Sequence, residues 1–173
     1  MKLQKKNCRS FFPNIDEKSE ILILGSMPGV KSLTEQEYYA HPQNRFWKLI
    51  GEICHKEDLH NLNYQDKLQV LLQNKIALWD VIQSCSRKGS LDSNIQNETP
   101  NDIPKLLKQY TNIKCICLNG NKAYSAFKKH FPKLSEDYKC CKLPSTSPAN
   151  AKYRPEDLYT EWKTIIGTVL NAE

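Results

Sequence analysis

The chain has 173 residues and a mass of 20.0 kDa, and its 39% apolar content suffices for one compact domain with a buried core. Its 25 Lys and Arg outnumber 19 Asp and Glu, giving a net charge of +6 and an isoelectric point near 8.9. An excess of that size is compatible with a polyanionic partner but is common without one. The seven cysteines are odd in number and lack the spacing of a secreted disulfide framework, and the opening MKLQKKNCRS has no signal-like apolar stretch. No apolar run approaches the ~20 residues of a membrane span, so a reduced, cytoplasmic protein with no membrane partner is expected.

In chain order, residues 1–19 are polar and charged and predict a loosely held lead-in to a single domain over 1–173. Ile21–Leu24 is a continuous apolar run stopped by Gly25, the pattern of a strand buried on both faces. A Gly- and Pro-punctuated loop is expected from Gly25 to Pro42. Phe46, Leu49, Ile50 and Ile53 then share a helical face, and a second helix fits Asp66–Gln73. Ile76–Ile82 predicts a strand and Gln83–Pro100 a polar loop. Ile103, Leu106, Leu107 and Tyr110 mark a short helix, Ile113–Leu118 a strand, and Gly120 opens a helix that turns Tyr124, Phe127 and Phe131 inward. Cys140–Leu143 makes a fourth strand before a Pro- and Ser-rich loop, and Leu158, Trp162, Ile165, Ile166 and Val169 line a last helix.

Short apolar strands alternating with amphipathic helices predict an α/β fold: a three-layer αβα sandwich around a mainly parallel four-stranded sheet. Cys115 and Cys117 share a strand face, with Cys140 and Cys141 farther on. The expected role of all four is that of small buried hydrophobes, since no zinc-type CxxC pair occurs, and no metal or cofactor is expected. His55 and His60 are not spaced as ligands on one helix face and are expected at the surface.

In parallel sheets ligands bind beyond the carboxyl ends of the strands. Two loops there have unusual chemistry. The first is Gly25-Ser26-Met27-Pro28-Gly29, where glycine admits close backbone approach and Pro28 fixes one dihedral. The second is LPSTSPAN, Leu143–Asn150. Between them YYAHPQNRFW, Tyr38–Trp47, packs aromatics, an amide and an arginine into ten residues. Aromatic faces stack on bases, amides read base edges or hold water, and arginine contacts phosphate.

ILILGSMPG followed by YYAHPQNRFWKLIG resembles the first motif of the uracil-DNA glycosylase superfamily, and HPQNRFW is similar to its mismatch-specific branch. LPSTSPAN resembles the second motif, and LNGNKAY (Leu118–Tyr124) the strand-to-helix turn of that fold. LWDV (Leu78–Val81) and GSLDS (Gly89–Ser93) are similar to stretches of the deoxyinosine, or hypoxanthine, branch. The likeness spans roughly residues 20–170, and several ordered motifs are far more specific than one.

The resemblance implies base excision repair: a monomeric enzyme that flips a deaminated base out of double-stranded DNA and hydrolyses its N-glycosidic bond. Two departures bear on it. Met27 stands where many members carry a water-handling Asn or Asp, and the second motif offers Ser145, Thr146 and Ser147 in place of a histidine. The resemblance implies that Asn44 takes over the catalytic duty by orienting water. It places Gly25, Ser26, Met27 and Pro28 around the base, with Tyr39 stacked on it. Phe46 belongs to that pocket or supports it from beneath with Trp47. Asp80 contacts substrate or serves as a structural cap. Ser145 and Ser147 would bond phosphates, with Ala149 and Asn150 at the minor-groove edge. Asp92 and Arg87 fall in a matching loop with no derivable role. Uracil as the base, a lesion-binding module without catalysis, and a plain nucleotide-binding domain remain alternatives. The last lacks a phosphate-cradling Gly-rich loop.

Overall fold

Ile21–Leu24 is apolar at every position because both of its faces are covered, and this strand lies at the middle of the molecule. The computed structural model describes residues 4–172. In chain order its elements are β1 (Lys6–Arg9), β2 (Ile21–Gly25), α1 (Val30–Glu35), α2 (Phe46–Ile53), α3 (Tyr64–Gln73), β3 (Ile76–Asp80) and β4 (Ile82–Arg87). These are followed by β5 (Gln96–Pro100), α4 (Ile103–Gln109), β6 (Cys115–Asn119), α5 (Asn121–His130), α6 (Leu134–Asp137), β7 (Lys139–Leu143) and α7 (Pro155–Leu170). Single 3₁₀ turns occupy Leu59–Asn61 and Asp92–Asn94.

The main sheet has the order β3-β2-β6-β7 and is parallel throughout. Alternate side chains divide its core in two. Ile21, Ile23, Ile76, Leu78, Cys115 and Cys117 pack under α2, α3 and α7, where Trp162 and Phe46 are fully buried. Leu22, Leu24, Ala77, Ile116 and Leu118 face α4 and α5 on the other side. This is the expected αβα sandwich.

Four expectations need correction. The loop expected over Gln83–Pro100 holds two strands: β4 and β5 form an antiparallel hairpin with β1 on its outer edge, in the order β1-β4-β5. The strand expected over Ile76–Ile82 is correspondingly broken after Asp80, where the chain passes from one sheet to the other. Residues 4–19 are not loosely held. Lys6 pairs with Arg87, Asn14 bridges Leu78, and Trp79 Nε1 donates to the Phe11 carbonyl at 2.8 Å. These polar strands bury few side chains and are held by backbone pairing instead. The segment from Gly25 to Pro42 also contains α1, a short helix whose one buried residue is Ser32.

The cysteines behave as small core residues. Cys115 Sγ lies 3.8 Å from Cys117 Sγ and 3.9 Å from Cys141 Sγ, and all seven thiols are free. Among the described residues no group of three or more His, Cys, Asp or Glu is arranged to hold a metal ion, and no helix is long and apolar enough to cross a membrane.

Candidate active site

The carboxyl ends of β2, β3, β6 and β7 lie side by side, and the polar residues of the two expected loops gather there. Gly25 pairs in register with Asp80 at the tip of β3. A Cβ at Gly25 would stand 2.7 Å from Asp80 Oδ1 and 3.1 Å from the Tyr39 hydroxyl, so only glycine fits between them. Gly120, at φ +95°, opens α5 in a left-handed conformation and brings its backbone against Ser145. The two loops are thus neighbours across the sheet edge.

Asn119 joins them. Its Nδ2 donates to the Tyr39 hydroxyl at 3.0 Å and to Thr146 Oγ1 at 3.1 Å, while its Oδ1 accepts from Thr146 N–H at 3.1 Å. The sequence offered LNGNKAY as a turn but gave no reason to select this asparagine. Its place at a strand tip was the available signal.

Tyr39 is half-buried and holds a positive φ of 54°, a strained setting for an aromatic residue. Its ring stacks on Phe46 with centroids 4.0 Å apart and planes 22° off parallel. Phe46 is fully buried, so it lies behind Tyr39 and supports it. Burial first, and then the charge of Asp80, push the Tyr39 hydroxyl well above its ordinary pKa, which keeps it a neutral hydrogen-bonding group. Trp47 donates from Nε1 to the Tyr38 carbonyl at 2.9 Å and belongs to the core.

Asn44 is half-buried just before α2. Its Oδ1 accepts the Phe46 N–H at 3.0 Å, which fixes the plane of the amide and uses one of two lone pairs. Its Nδ2 makes no hydrogen bond among the described residues. Arg45 beside it is half-buried and turns its guanidinium onto the second loop. It donates to the carbonyls of Tyr153 at 2.6 Å, Ser147 at 3.0 Å, Asn150 at 3.1 Å and Ser145 at 3.4 Å. Its own backbone N–H reaches the Thr146 carbonyl at 3.1 Å. One side chain therefore gathers most of the second loop, while Trp162 Nε1 holds the Pro144 carbonyl at 2.9 Å. Within that loop Ser145 Oγ accepts from Ser147 N–H, Ser147 Oγ accepts from Ala149 N–H, and Asn150 Nδ2 donates to the Ser145 carbonyl. Each serine hydroxyl keeps its proton free for an outside acceptor, and Ala149 is exposed at the tip.

The first loop is held from the hairpin. Arg87, 1% exposed, donates from Nη2 to the Pro28 carbonyl. Ser90 Oγ accepts from Val30 N–H at 2.9 Å, and Ser26 Oγ donates to Asp92 Oδ1 at 2.6 Å. The Met27 side chain turns into the core beneath, at 6% exposure, so it is the backbone of Ser26–Gly29 that borders the strand tips. Asp80 is buried and accepts the Ser10 hydroxyl at 2.7 Å. Loss of solvent raises its pKa to about 7, with Asp92 adding to the rise and Ser10 and Arg87 opposing it. Ser10 is another residue that sequence reasoning missed, because its contact spans 70 positions. A surface hollow of about 550 Å³ lies at the far end of α2, lined by Lys48, Glu52, His55, Glu57, His60 and Tyr159, away from these groups.

The model of the uracil DNA glycosylase superfamily matches residues 12–165. The chain belongs to that superfamily. It is 39% identical over 158 residues to a hypoxanthine DNA glycosylase of Methanosarcina acetivorans, covering 91% of this chain and 96% of that one. It is 45% identical over 115 residues to a hypoxanthine DNA glycosylase of Methanosarcina barkeri, covering 66% of this chain and 72% of the relative. A solution NMR structure of a candidate uracil DNA glycosylase from Methanosarcina acetivorans superposes with a TM-score of 0.81 at 38% identity, over 95% of this chain and 99% of that one. Membership of a DNA glycosylase superfamily implies a DNA substrate.

Proposed function

We propose that the protein is a monofunctional DNA glycosylase of base excision repair that removes hypoxanthine from deoxyinosine in duplex DNA. The observation that carries this reading is the junction at the strand tips, where Asn119 ties Tyr39 to Thr146 beside a fixed Asn44 amide. A flipped base entering between the two loops meets the ring of Tyr39, the backbone of Ser26–Gly29 and the buried carboxyl of Asp80. Below about pH 7 that carboxyl is largely protonated and can donate a hydrogen bond to the base carbonyl. Ser145 and Ser147 hold phosphates with their free hydroxyl protons, and Ala149 and Asn150 lie along the minor groove.

Hypoxanthine suits such a site. Its ring carbonyl accepts charge as the base departs, and its weak pairing with thymine lowers the few kcal/mol that flipping ordinarily costs. Backbone N–H groups of the first loop stabilise the leaving base, each well-placed donor contributing about 3–4 kcal/mol. Asn44 orients the water through its carbonyl; a neutral amide is a poor base but a good positioning group. Water is the second substrate, so no cofactor enters. The enzyme works as a monomer in the cytoplasm with the chromosome.

Asn44→Ala is expected to abolish hypoxanthine release, read as alkali-labile abasic sites, while melting temperature and duplex binding stay near the parent values. Full activity in that variant refutes the assignment. The likeness to a structure solved as a candidate uracil DNA glycosylase favours one second reading, uracil as the base. Steady release from a uracil duplex, with none from an inosine duplex, selects it.

A further inference from the structure

The strand-tip site has no carboxylate on its first loop. Met27 stands at the position where the superfamily's water-handling side chain is expected, and its side chain is packed into the core. A carboxylate arrives at the same place from another element. Asp92 begins the 3₁₀ turn at the tip of the β4–β5 hairpin. Its Oδ1 is fixed by the Ser26 hydroxyl at 2.6 Å, and its Oδ2 has no partner among the described residues.

Asp92 is open to solvent yet crowded by neighbours. Desolvation raises its pKa, opposed by the Ser26 hydrogen bond and by Arg87 and Lys122, the two cations that act on it. Its charge in turn helps to raise the pKa of Asp80 and of Tyr39. Ser26 follows Gly25, which pairs with Asp80 at the tip of β3, so the carboxylate that the Ser26 hydroxyl holds lies at the mouth of the pocket assigned to the base. The mouth is where the deoxyribose of a flipped nucleotide must remain, because the sugar stays attached to the DNA backbone.

We propose that Asp92 is the site's catalytic carboxylate: it faces the sugar of the flipped nucleotide and stabilises the positive charge that develops there. This rests on the glycosylase reading above. The C1′–N9 bond breaks with its electron pair on the purine, leaving the sugar cationic beside the Asp92 carboxylate. The water held by Asn44 bonds to C1′ and loses one proton to solvent, and the departing purine anion takes up one proton from solvent. Ser26 is the positioning residue that aims the carboxylate, and Arg87 limits the rise in its pKa.

The test uses Asp92→Asn, which keeps an oxygen for the Ser26 hydroxyl but removes the charge, and two readouts. Single-turnover release from an inosine duplex is expected to slow by about 10²–10³, the usual effect of losing one transition-state electrostatic group. The second readout is binding to duplexes holding a cationic pyrrolidine sugar mimic or a neutral tetrahydrofuran one. The parent is expected to prefer the pyrrolidine more than tenfold, and Asp92→Asn to show no preference. Asp92→Glu, which keeps the charge, is expected to restore the preference, and it guards against an Asn variant that folds poorly. A parent that releases base and an Asp92→Asn variant within threefold of it, or a Glu variant as indifferent as Asn, overturns the role of Asp92 alone. A parent that releases no base from inosine, uracil or xanthine duplexes overturns the glycosylase reading and this inference with it.

Discussion

The two loops at the strand tips are held by opposite means. The Leu143–Asn150 loop is gathered mainly by one guanidinium, since the Arg45 side chain reaches five carbonyls from Ser145 to Tyr153, with Asn119 adding two bonds to Thr146 and Trp162 one to the Pro144 carbonyl. The Gly25–Gly29 loop and the residue that follows it are held by three different side chains from the hairpin: Asp92 at Ser26, Arg87 at Pro28 and Ser90 at Val30. A dominant multidentate anchor makes the second loop vulnerable to one substitution. Three separate ties let the first loop lose one and keep its course. The loop proposed to border the departing base has the distributed fastening, and the loop proposed to hold the DNA backbone has the concentrated one.

Breaking the concentrated fastening has the largest expected effect. Arg45→Ala leaves several half-buried carbonyls without a donor, and should lower stability by roughly 3–5 kcal/mol and abolish excision, read by urea denaturation and base release. Arg45→Lys is expected to recover little of either, because an ammonium cannot span carbonyls that a planar guanidinium bridges.

The next effect depends on pH and belongs to the first loop's side. Asp80 carries a raised pKa in the folded protein, so between about 4 and about 7 the folded state binds the extra proton. Its contribution to stability is therefore intact at low pH and lost as pH rises through about 7. Asp80→Asn should flatten this slope and leave the variant more stable at pH 8, by up to roughly 4 kcal/mol at 1.36 kcal/mol per tenfold change in proton affinity. Urea melts at pH 5 and pH 8 measure it, and an unchanged slope in the variant would remove Asp80 as the cause.

The smallest effect tests redundancy. Ser90→Ala removes one of three ties and should cost about 1 kcal/mol with less than a fivefold loss of excision. A loss as large as that of Arg45→Ala would show that the first loop too depends on one tie.

How far all this was legible varies by element, for physical reasons. Ile21–Leu24 was readable because burial on both faces demands four apolar residues in a row. Gln96–Pro100 was not, because a strand written Gln-Asn-Glu-Thr-Pro has no hydrophobic pattern. It is held by pairing with β4 and by Glu98, which meets Lys122 at 3.0 Å and Lys129 at 3.3 Å. β1 buries only Cys8 and escaped notice for the same reason. At the site, Tyr39 and Asn44 stood out through their motif. Arg45 was conspicuous but its duty was not, since its acceptors are backbone carbonyls, which every sequence has and none reveals. Asp80 and Asp92 were visible as residues of matching stretches. Their charges became interpretable only with the distances to Ser10 and Ser26.

The strand order has a consequence for biosynthesis. β2 is flanked by β3 and by β6, so Ile21 must wait for a partner at Cys115 before its second edge is covered. A growing chain that has emerged through β3 but not β6 presents Ile-Leu-Ile-Leu as an open, wholly apolar ribbon, the kind of edge that pairs with another chain. During translation this is a stretch in need of shielding, because a chain ending before β6 leaves one edge of β2 without its partner.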